Sequence, residues 1–187
     1  LGKVSVPNYN DASVSVIDTV TRTVTKTIPV GSGPQYAAVD AAHDKVYVNN
    51  VADRTISVID SATDSVIKTL PSGAGSDDNF GNVNHAYGRY YLANSVDNTV
   101  TIVDTDTDTV AGTVTVGTKP IQIQTDLNGG NVYVVNQGSH SVSVLDATTE
   151  AVLTSYGVGT GPWRILIDDN HAYVLNGNGT NPDTMTV

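Results

Sequence analysis

One polar segment of the sequence carries the residue types from which a reaction centre or a metal site is built. Asp77, Asp78 and Asn79 lie within the segment 73–82, and His85 follows in the next predicted strand. Paired carboxylates and an imidazole supply acid and base groups, and oxygen ligands with one histidine suit calcium or magnesium. Asp77, Asp78 and His85 are therefore candidate catalytic residues, and Asp77, Asp78 and Asn79 are candidate metal ligands. The alternative is a polar surface loop, because this cluster has no specific ligand spacing.

A second group of residues offers binding chemistry. Trp163 and Arg164 are adjacent, and they present an aromatic face and a cation, which suit a sugar, an aromatic ligand or an anionic group. Arg164 is also a candidate catalytic residue. The alternative for Trp163 is a packing residue between repeats. The equivalent places in the other repeats hold residues that we expect to surround the same ligand-binding mouth: Gln35, Tyr36, Phe80, Asn82, Ile121 and Gln122.

Composition excludes several classes of function. The 187 residues include 9 basic and 19 acidic side chains, for a formal net charge of −10, whereas nucleic-acid binding depends on clustered Lys and Arg. The chain has no cysteine, which excludes disulfides, thiolate metal sites and a cysteine nucleophile. No apolar run approaches the roughly 18 residues of a membrane-spanning helix. We therefore expect no nucleic-acid partner and no membrane span.

Internal repetition indicates which elements position these side chains. Four Val-Ile-Asp-like runs end in aspartates that are 42, 44 and 42 residues apart, and an asparagine lies ten residues before each aspartate. A tyrosine lies thirteen residues before the aspartate in three of the four copies, and a fifth copy begins at Tyr173. This period predicts one domain or fragment, 1–187, with repeats at approximately 1–30, 31–72, 73–116, 117–158 and 159–187.

Each repeat contains four short runs rich in Val, Ile, Thr and Tyr, separated by clusters of Gly, Pro, Asn and Asp. These are the patterns of strands and turns, and no helical period is present. We name the strands A to D, with A at 36–40 after the Gly-Pro corner, B at 45–49, C as the Val-Ile-Asp run and D at 23–29. Four antiparallel strands in about 42 residues match a propeller blade. The sequence therefore predicts an all-β propeller whose A strands line a central channel.

The repeats resemble the YVTN family of β-propeller repeats. Gly31-Ser32-Gly33-Pro34 leads to Tyr47-Val48-Asn49-Asn50, and Gly117-Thr118-Lys119-Pro120 leads to Tyr133-Val134-Val135-Asn136. The resemblance covers nearly the whole chain, and it implies an extracellular, periplasmic or cell-surface protein. It also implies a seven-bladed ring in many members, so these four and a half units are expected to belong to a longer propeller or to pair with another chain. It implies no single activity.

Other polar residues are interpreted as architecture. Each repeated aspartate lies three positions before a hydroxyl residue, which predicts an Asx-type turn between strands C and D. Asp104, Asp106 and Asp108 are spaced like the start of a calcium loop, but Thr109 and Thr115 replace its glycine and its bidentate glutamate. A solvated turn is therefore expected. The remaining histidines are expected on the surface, without a shared geometry: His43, His140 and His171.

Two classes of function follow from these patterns. The favoured one is a secreted or cell-surface scaffold that uses the propeller mouth or rim to bind a glycan, a protein or a neighbouring copy. The second is an enzyme with a metal-assisted or acid-base site in the channel, similar to lyase and lactonase propellers, or the propeller subunit of a redox complex. A divalent cation belongs only to the second class.

Overall fold

Five antiparallel sheets follow one another along the chain, and the computed structural model describes residues 2–75, 79–168, 171–177 and 184–186. Blade 1 contains β1 (Lys3–Asn8), β2 (Ser13–Asp18) and β3 (Thr23–Pro29). Blade 2 contains β4 (Pro34–Asp40), β5 (Lys45–Asn50), β6 (Thr55–Asp60) and β7 (Ser65–Pro71). Blade 3 contains β8 (Gly81–Asn84), β9 (Arg89–Asn94), β10 (Thr99–Asp104) and β11 (Thr109–Thr115).

The last two blades continue the pattern. Blade 4 contains β12 (Pro120–Thr125), β13 (Asn131–Asn136), β14 (Ser141–Asp146) and β15 (Val152–Gly157). Blade 5 contains β16 (Pro162–Ile167), β17 (Ala172–Asn176) and β18 (Thr184–Thr186). The all-β prediction is confirmed. No helix among the described residues has the length and apolar character that a membrane span requires.

The A strands are the innermost strands of blades 2 to 5. β4 contacts β8, β8 contacts β12, and β12 contacts β16, so these strands lie side by side around the channel. Blade 1 has the order β1-β2-β3 and begins with a B strand. Because β16 pairs with β17 in blade 5, the fourth strand of blade 1 is not supplied by β16.

The hydrophobic core lies between neighbouring blades. Between blades 3 and 4, for example, Tyr91 and Ile102 pack with Ile123, Val134 and Leu145, all of which are buried. The C strands of blades 2 to 4 are buried on both faces, which explains their nearly continuous apolar runs, such as the run in β6. The D strands alternate or are exposed, as in β11 and β15. The sheets therefore stack face to face around the axis.

A repeated ion pair also joins successive blades. The first residue of strand B contacts an acidic residue in the C-D turn of the following blade. The pairs are Lys3 with Asp64 (2.7 Å), Lys45 with Asp108 (2.8 Å) and Arg89 with Glu150 (2.9 Å). The acidic residue has a positive φ in each case, and Arg22 takes the equivalent position in blade 1.

The repeated aspartates form the predicted turns. In each turn the aspartate Oδ1 accepts a hydrogen bond from the backbone N–H of the threonine three residues later, at 2.7–2.9 Å. These backbone hydrogen bonds favour the ionised carboxylate and lower the pKa of each aspartate. The Asx-turn prediction is confirmed, and the residues are Asp18, Asp60, Asp104 and Asp146.

The repeated asparagines join strands B and C within their blades. Asn50 Nδ2 donates to Thr55 Oγ1 at 3.1 Å and to Ser57 Oγ at 2.8 Å, and it therefore joins strands B and C. The equivalent asparagines of blades 1, 3 and 4 bind the corresponding hydroxyls of their own C strands. Gly31 packs directly against Asn50, and a Cβ at Gly31 would lie 2.8 Å from the Asn50 Cγ atom. The corner glycine therefore makes room for the asparagine.

Candidate functional site

The A strands of blades 2, 4 and 5 are bulged at their first residues. The register shifts between Pro34 and Tyr36 of β4, and it shifts at the equivalent places in β12 and β16. A bulge re-aims the side chains beside it and is common next to functional sites. After the bulge, one register position is shared by Tyr36, Gln122 and Arg164. In blade 3, Phe80 directly precedes β8.

This shared position opens onto one cavity of about 360 Å³ at the channel mouth. Six of the eight residues expected around the mouth line it: Tyr36, Phe80, Asn82, Gln122, Trp163 and Arg164. Ile121 is buried and lies outside the lining. Gln35 lies outside the lining, and its Oε1 accepts a 3.4 Å hydrogen bond from the Asn79 backbone N–H. Gly81, Ile123 and Gln124 complete the lining. The sequence had not singled out Gln124, although it follows Gln122 by two residues and therefore lies on the same face of β12.

Aromatic rings occupy two sides of the cavity. Tyr36 and Phe80 meet edge to face with centroids 5.3 Å apart, and the Phe80 backbone N–H donates to the Ile121 carbonyl of the next blade at 2.9 Å. Phe80 is 43% exposed and Trp163 is 44% exposed. The predicted alternative, in which Trp163 packs between repeats, therefore accounts for only part of its surface. Exposed ring faces are free to stack on a ligand.

The polar groups of the mouth are held by neighbouring strands. Gln122 Oε1 accepts the Ile165 backbone N–H at 2.7 Å, and Asn82 Oδ1 accepts the Thr125 hydroxyl at 3.3 Å. Burial raises the pKa of Tyr36, and the Arg164 charge opposes that rise. Tyr36 is therefore a protonated hydroxyl at neutral pH. The mouth combines oriented amides, one phenol and one guanidinium.

The acidic corner of blade 3 only partly enters this site. Asp77 and Asp78 lie outside the described residues. Asn79 is 2% exposed, and its amide nitrogen packs against Gly75 inside the corner. Its Oδ1 has no hydrogen-bond partner in the described part of the chain. Asn79 is thus a buried corner residue here.

His85 lies far from this corner, contrary to the expectation that it projects toward the mouth with Asp77 and Asp78. Strand β8 contains only four residues and ends where Asn84 pairs with Arg89. His85 therefore begins the A-B turn, separated from Phe80 by roughly 16 Å of extended chain. The imidazole belongs to the opposite face of the propeller.

On that opposite face, His85 joins a cluster that sequence reasoning missed. Its Nδ1 lies 3.3 Å from Asp40 Oδ1, while His43 contacts Asp40 Oδ2 through Nδ1 at 2.7 Å and Asp106 Oδ1 through Nε2 at 2.8 Å. Because both nitrogens of His43 face carboxylates, the ring must be doubly protonated to donate twice. The hydrogen bond to Asp40 raises the pKa of His43. His43 lies on the surface as expected, but the expectation that it has no shared geometry was wrong.

The Asp40 carboxylate is almost completely buried, with 1% side-chain exposure. Burial alone would raise its pKa, but the His43 hydrogen bond and charge outweigh that effect and lower the pKa below 3.8. The Asp-x-x-His spacing in an A-B turn is the signal that would have indicated the pair. Within the described ranges, no group of three or more histidine, aspartate or glutamate side chains has the geometry of a metal site.

The other two members of the predicted calcium-like run also have structural partners. Asp108 accepts the Tyr47 hydroxyl at 2.8 Å and pairs with Lys45 at 2.8 Å. Asp104 contacts Arg89 at 2.7 Å besides forming its own turn. These partners account for the positions of both carboxylates, so no bound cation is needed to explain them.

No protein-family model matches the chain, and no curated protein matches it. Several solved structures, however, are similar to it in fold. The chain is similar to Kuenenia stuttgartiensis hydrazine synthase, with a TM-score of 0.81 and 18% identity over 97% of this chain and 55% of that one. It is also similar to a functionally unknown protein from Desulfotomaculum acetoxidans DSM 771, with a TM-score of 0.75 and 17% identity over 100% of this chain and 66% of that one.

A third similar structure is a chain of the mitotic checkpoint complex, with a TM-score of 0.77 and 13% identity over 100% of this chain and 60% of that one. The chain thus spans 55–66% of the length of the chains it matches. At these identities the likeness concerns the fold and not the activity. The protein has an all-β, propeller-like fold built of antiparallel blades.

Proposed function

We propose that the protein is a YVTN-type propeller that acts as an exported binding scaffold, outside the cell, in the periplasm or on the cell surface, and that it binds a glycan in its channel mouth. The observation that carries this proposal is the convergence of four blades on one cavity of about 360 Å³. Small-molecule sites typically have about 300–1,000 Å³ and a few oriented polar groups. The three aromatic rings offer stacking faces for sugars.

The groups in the mouth favour binding over proton transfer. Among the described residues that line the cavity, none carries a carboxylate or an imidazole. General acid-base catalysis needs such a group within hydrogen-bond reach of the reacting atom. Three described groups of that kind, His43, His85 and Asp40, cluster at the other end of the A strands. The propeller enzyme is therefore the less favoured alternative.

A glycan array, followed by calorimetry on each hit, tests this function. Trp163→Ala should weaken binding of a true ligand by about tenfold or more, because it removes a stacking face. Tyr156→Ala is the matched control, since Tyr156 is 60% exposed on the outer strand β15, away from the mouth. Unchanged binding by the Trp163 variant would place the ligand elsewhere and contradict the proposal.

A second candidate is that the propeller is a subunit of a larger assembly. Large apolar side chains are exposed on the two end blades: Val20 (85%), Val24 (58%), Leu166 (51%) and Met185 (57%). Contiguous exposed apolar surface marks protein contacts. Hydrogen exchange on the natively purified protein should show these edges protected, with cross-links from them to a neighbour. Unprotected edges in a monomer would contradict this candidate.

A further inference from the structure

The channel mouth offers many hydrogen-bond donors and few free acceptors. Gln122 Oε1 is occupied by the Ile165 N–H, and Asn82 Oδ1 is occupied by the Thr125 hydroxyl. The amide nitrogens of Gln122 and Asn82 therefore remain as donors toward the cavity. A donor-rich site matches a ligand that is rich in acceptor oxygens.

Two further residues extend this pattern. The Tyr36 hydroxyl has no hydrogen-bond partner in the described part of the chain, and burial keeps it protonated by raising its pKa. Gln124 has no side-chain partner there either, so its amide offers both a donor and an acceptor. Together these groups suit hydroxyl and ether oxygens at several positions around a ring.

Arg164 supplies the charge of the site. It is the single charged side chain among the described residues that line the cavity. No ion pair within the described ranges includes it, whereas Arg89 contacts two carboxylates. The chain as a whole has a net charge of −10, so a guanidinium that has no ion pair with any described residue differs from most of the surface around it. A guanidinium binds a planar carboxylate through two parallel hydrogen bonds.

We propose that the ligand of the mouth is an acidic saccharide whose carboxylate binds Arg164 and whose ring stacks on Trp163 or Phe80. This inference rests on the proposed glycan-binding function and specifies the class of sugar. A flat aromatic acid fits less well, because it would leave the amides of Asn82, Gln122 and Gln124 without partners. A phosphate monoester fits less well because its charge is about −1.5 to −2 at pH 7, whereas the described lining of the cavity provides one cation.

The chain contains one tryptophan, and that residue is Trp163. Its fluorescence therefore reports directly on the mouth. Titrations with an oligogalacturonate and with the same oligomer after reduction of its carboxyl groups isolate the contribution of the charge. We expect the acidic oligomer to bind about tenfold more tightly or better, because hydrogen bonds to a charged group are worth about 1.5–3 kcal/mol.

Three variants complete the experiment. Arg164→Gln should reduce the preference for the acidic oligomer to about twofold or less, and Arg164→Lys should recover only part of it, because lysine lacks the planar fork. Arg22→Gln removes the same charge from the C-D turn of blade 1 and should leave binding unchanged. Circular dichroism of each variant verifies folding.

The outcomes separate the two proposals. Equal binding of both oligomers, unaffected by Arg164→Gln, would overturn the acidic-sugar inference and leave the glycan-binding function standing. Tighter binding of benzoate or phenyl phosphate than of the acidic oligomer would overturn the sugar assignment. If neither oligomer changes the fluorescence or binds by calorimetry, the inference fails. If no glycan on the array binds either, the proposed function fails with it.

Discussion

Tyr47 and Tyr90 stack face to face between blades 2 and 3, with ring centroids 4.9 Å apart and planes 14° from parallel. Both side chains are fully buried, yet their hydroxyls are in different situations. The Tyr47 hydroxyl donates to Asp108 at 2.8 Å, whereas the Tyr90 hydroxyl has no partner in the described part of the chain. Tyr90 lies against Gly81 at the floor of the mouth, where a Cβ would collide with its ring. Burial raises the pKa of both phenols.

This difference predicts that replacing each tyrosine by phenylalanine changes the free energy of unfolding by different amounts. Tyr47→Phe should lower the free energy of unfolding by about 1–3 kcal/mol, because Asp108 loses a buried donor. Tyr90→Phe should leave it unchanged or raise it by up to about 1 kcal/mol, because an unpaired buried hydroxyl disappears while the stack remains. Urea unfolding of both variants measures the difference. Equal losses would show that the Tyr90 hydroxyl has a partner.

The contact between Gly31 and Asn50 predicts that substitutions at these two residues have non-additive effects on the free energy of unfolding. Gly31→Ala should destabilise the protein by about 1–3 kcal/mol through overpacking, and Asn50→Ala by about 1–3 kcal/mol through loss of two hydrogen bonds. The double variant should lose less than the sum, by about 1 kcal/mol, because Asn50→Ala removes the obstacle. A double-mutant cycle by urea unfolding tests this.

Gly157→Ala is the matched control for that cycle. A Cβ at Gly157 would meet no atom within 4 Å, and its φ is not positive. The substitution should therefore be neutral or slightly stabilising, since it restricts the unfolded chain. If Gly31→Ala and Gly157→Ala behave alike, close approach of the asparagine is not the cause.

The bridge from His43 to Asp40 and Asp106 predicts a pH-dependent stability. The pKa of His43 is raised above 6.5, so its contribution is fully present below that value and is lost as pH rises through the raised pKa. Lys45 and His85 also face this cluster, and the Lys45 charge opposes the rise. The urea midpoint of wild type should therefore fall with rising pH in this window, and His43→Gln should flatten the curve. His171→Gln, at a 56% exposed ring, should leave the slope intact; an unchanged slope in His43→Gln would refute the assignment.

The interblade ion pairs predict unequal costs at equivalent positions. Arg89 is mostly buried and contacts both Glu150 and Asp104, so Arg89→Met should cost about 1–3 kcal/mol by leaving two carboxylates unpaired. The Lys3 side chain is 39% exposed, so Lys3→Met should change stability by less than about 1 kcal/mol. Thermal or urea unfolding compares them. A similar loss at both positions would contradict this ranking.

The strands and turns could be predicted well because their signals are local: each repeat has runs rich in Val, Ile, Thr and Tyr, separated by clusters of Gly, Pro, Asn and Asp. Strand D at 23–29 is the observed β3, and the predicted strand A at 36–40 begins only two residues earlier, at Pro34. The mouth was also predictable, because equivalent positions in a repeat must meet around one axis. His85 was misplaced because blade 3 has no corner proline to set the start of its short A strand. The Asp40 cluster was missed because its members come from turns of two different blades.

The ladder of ion pairs gives blades 1 to 3 a basic residue on one face and blades 2 to 4 an acidic residue on the other, so the stack has a direction. Lys45 reaches forward to Asp108, and an added blade of the same kind would reach forward in the same way. At blade 1, however, such a blade would meet Arg22 in the acceptor position. A lysine or arginine from that blade would be repelled by Arg22. A partner that fits this edge must carry a carboxylate where the repeats of this chain carry lysine or arginine.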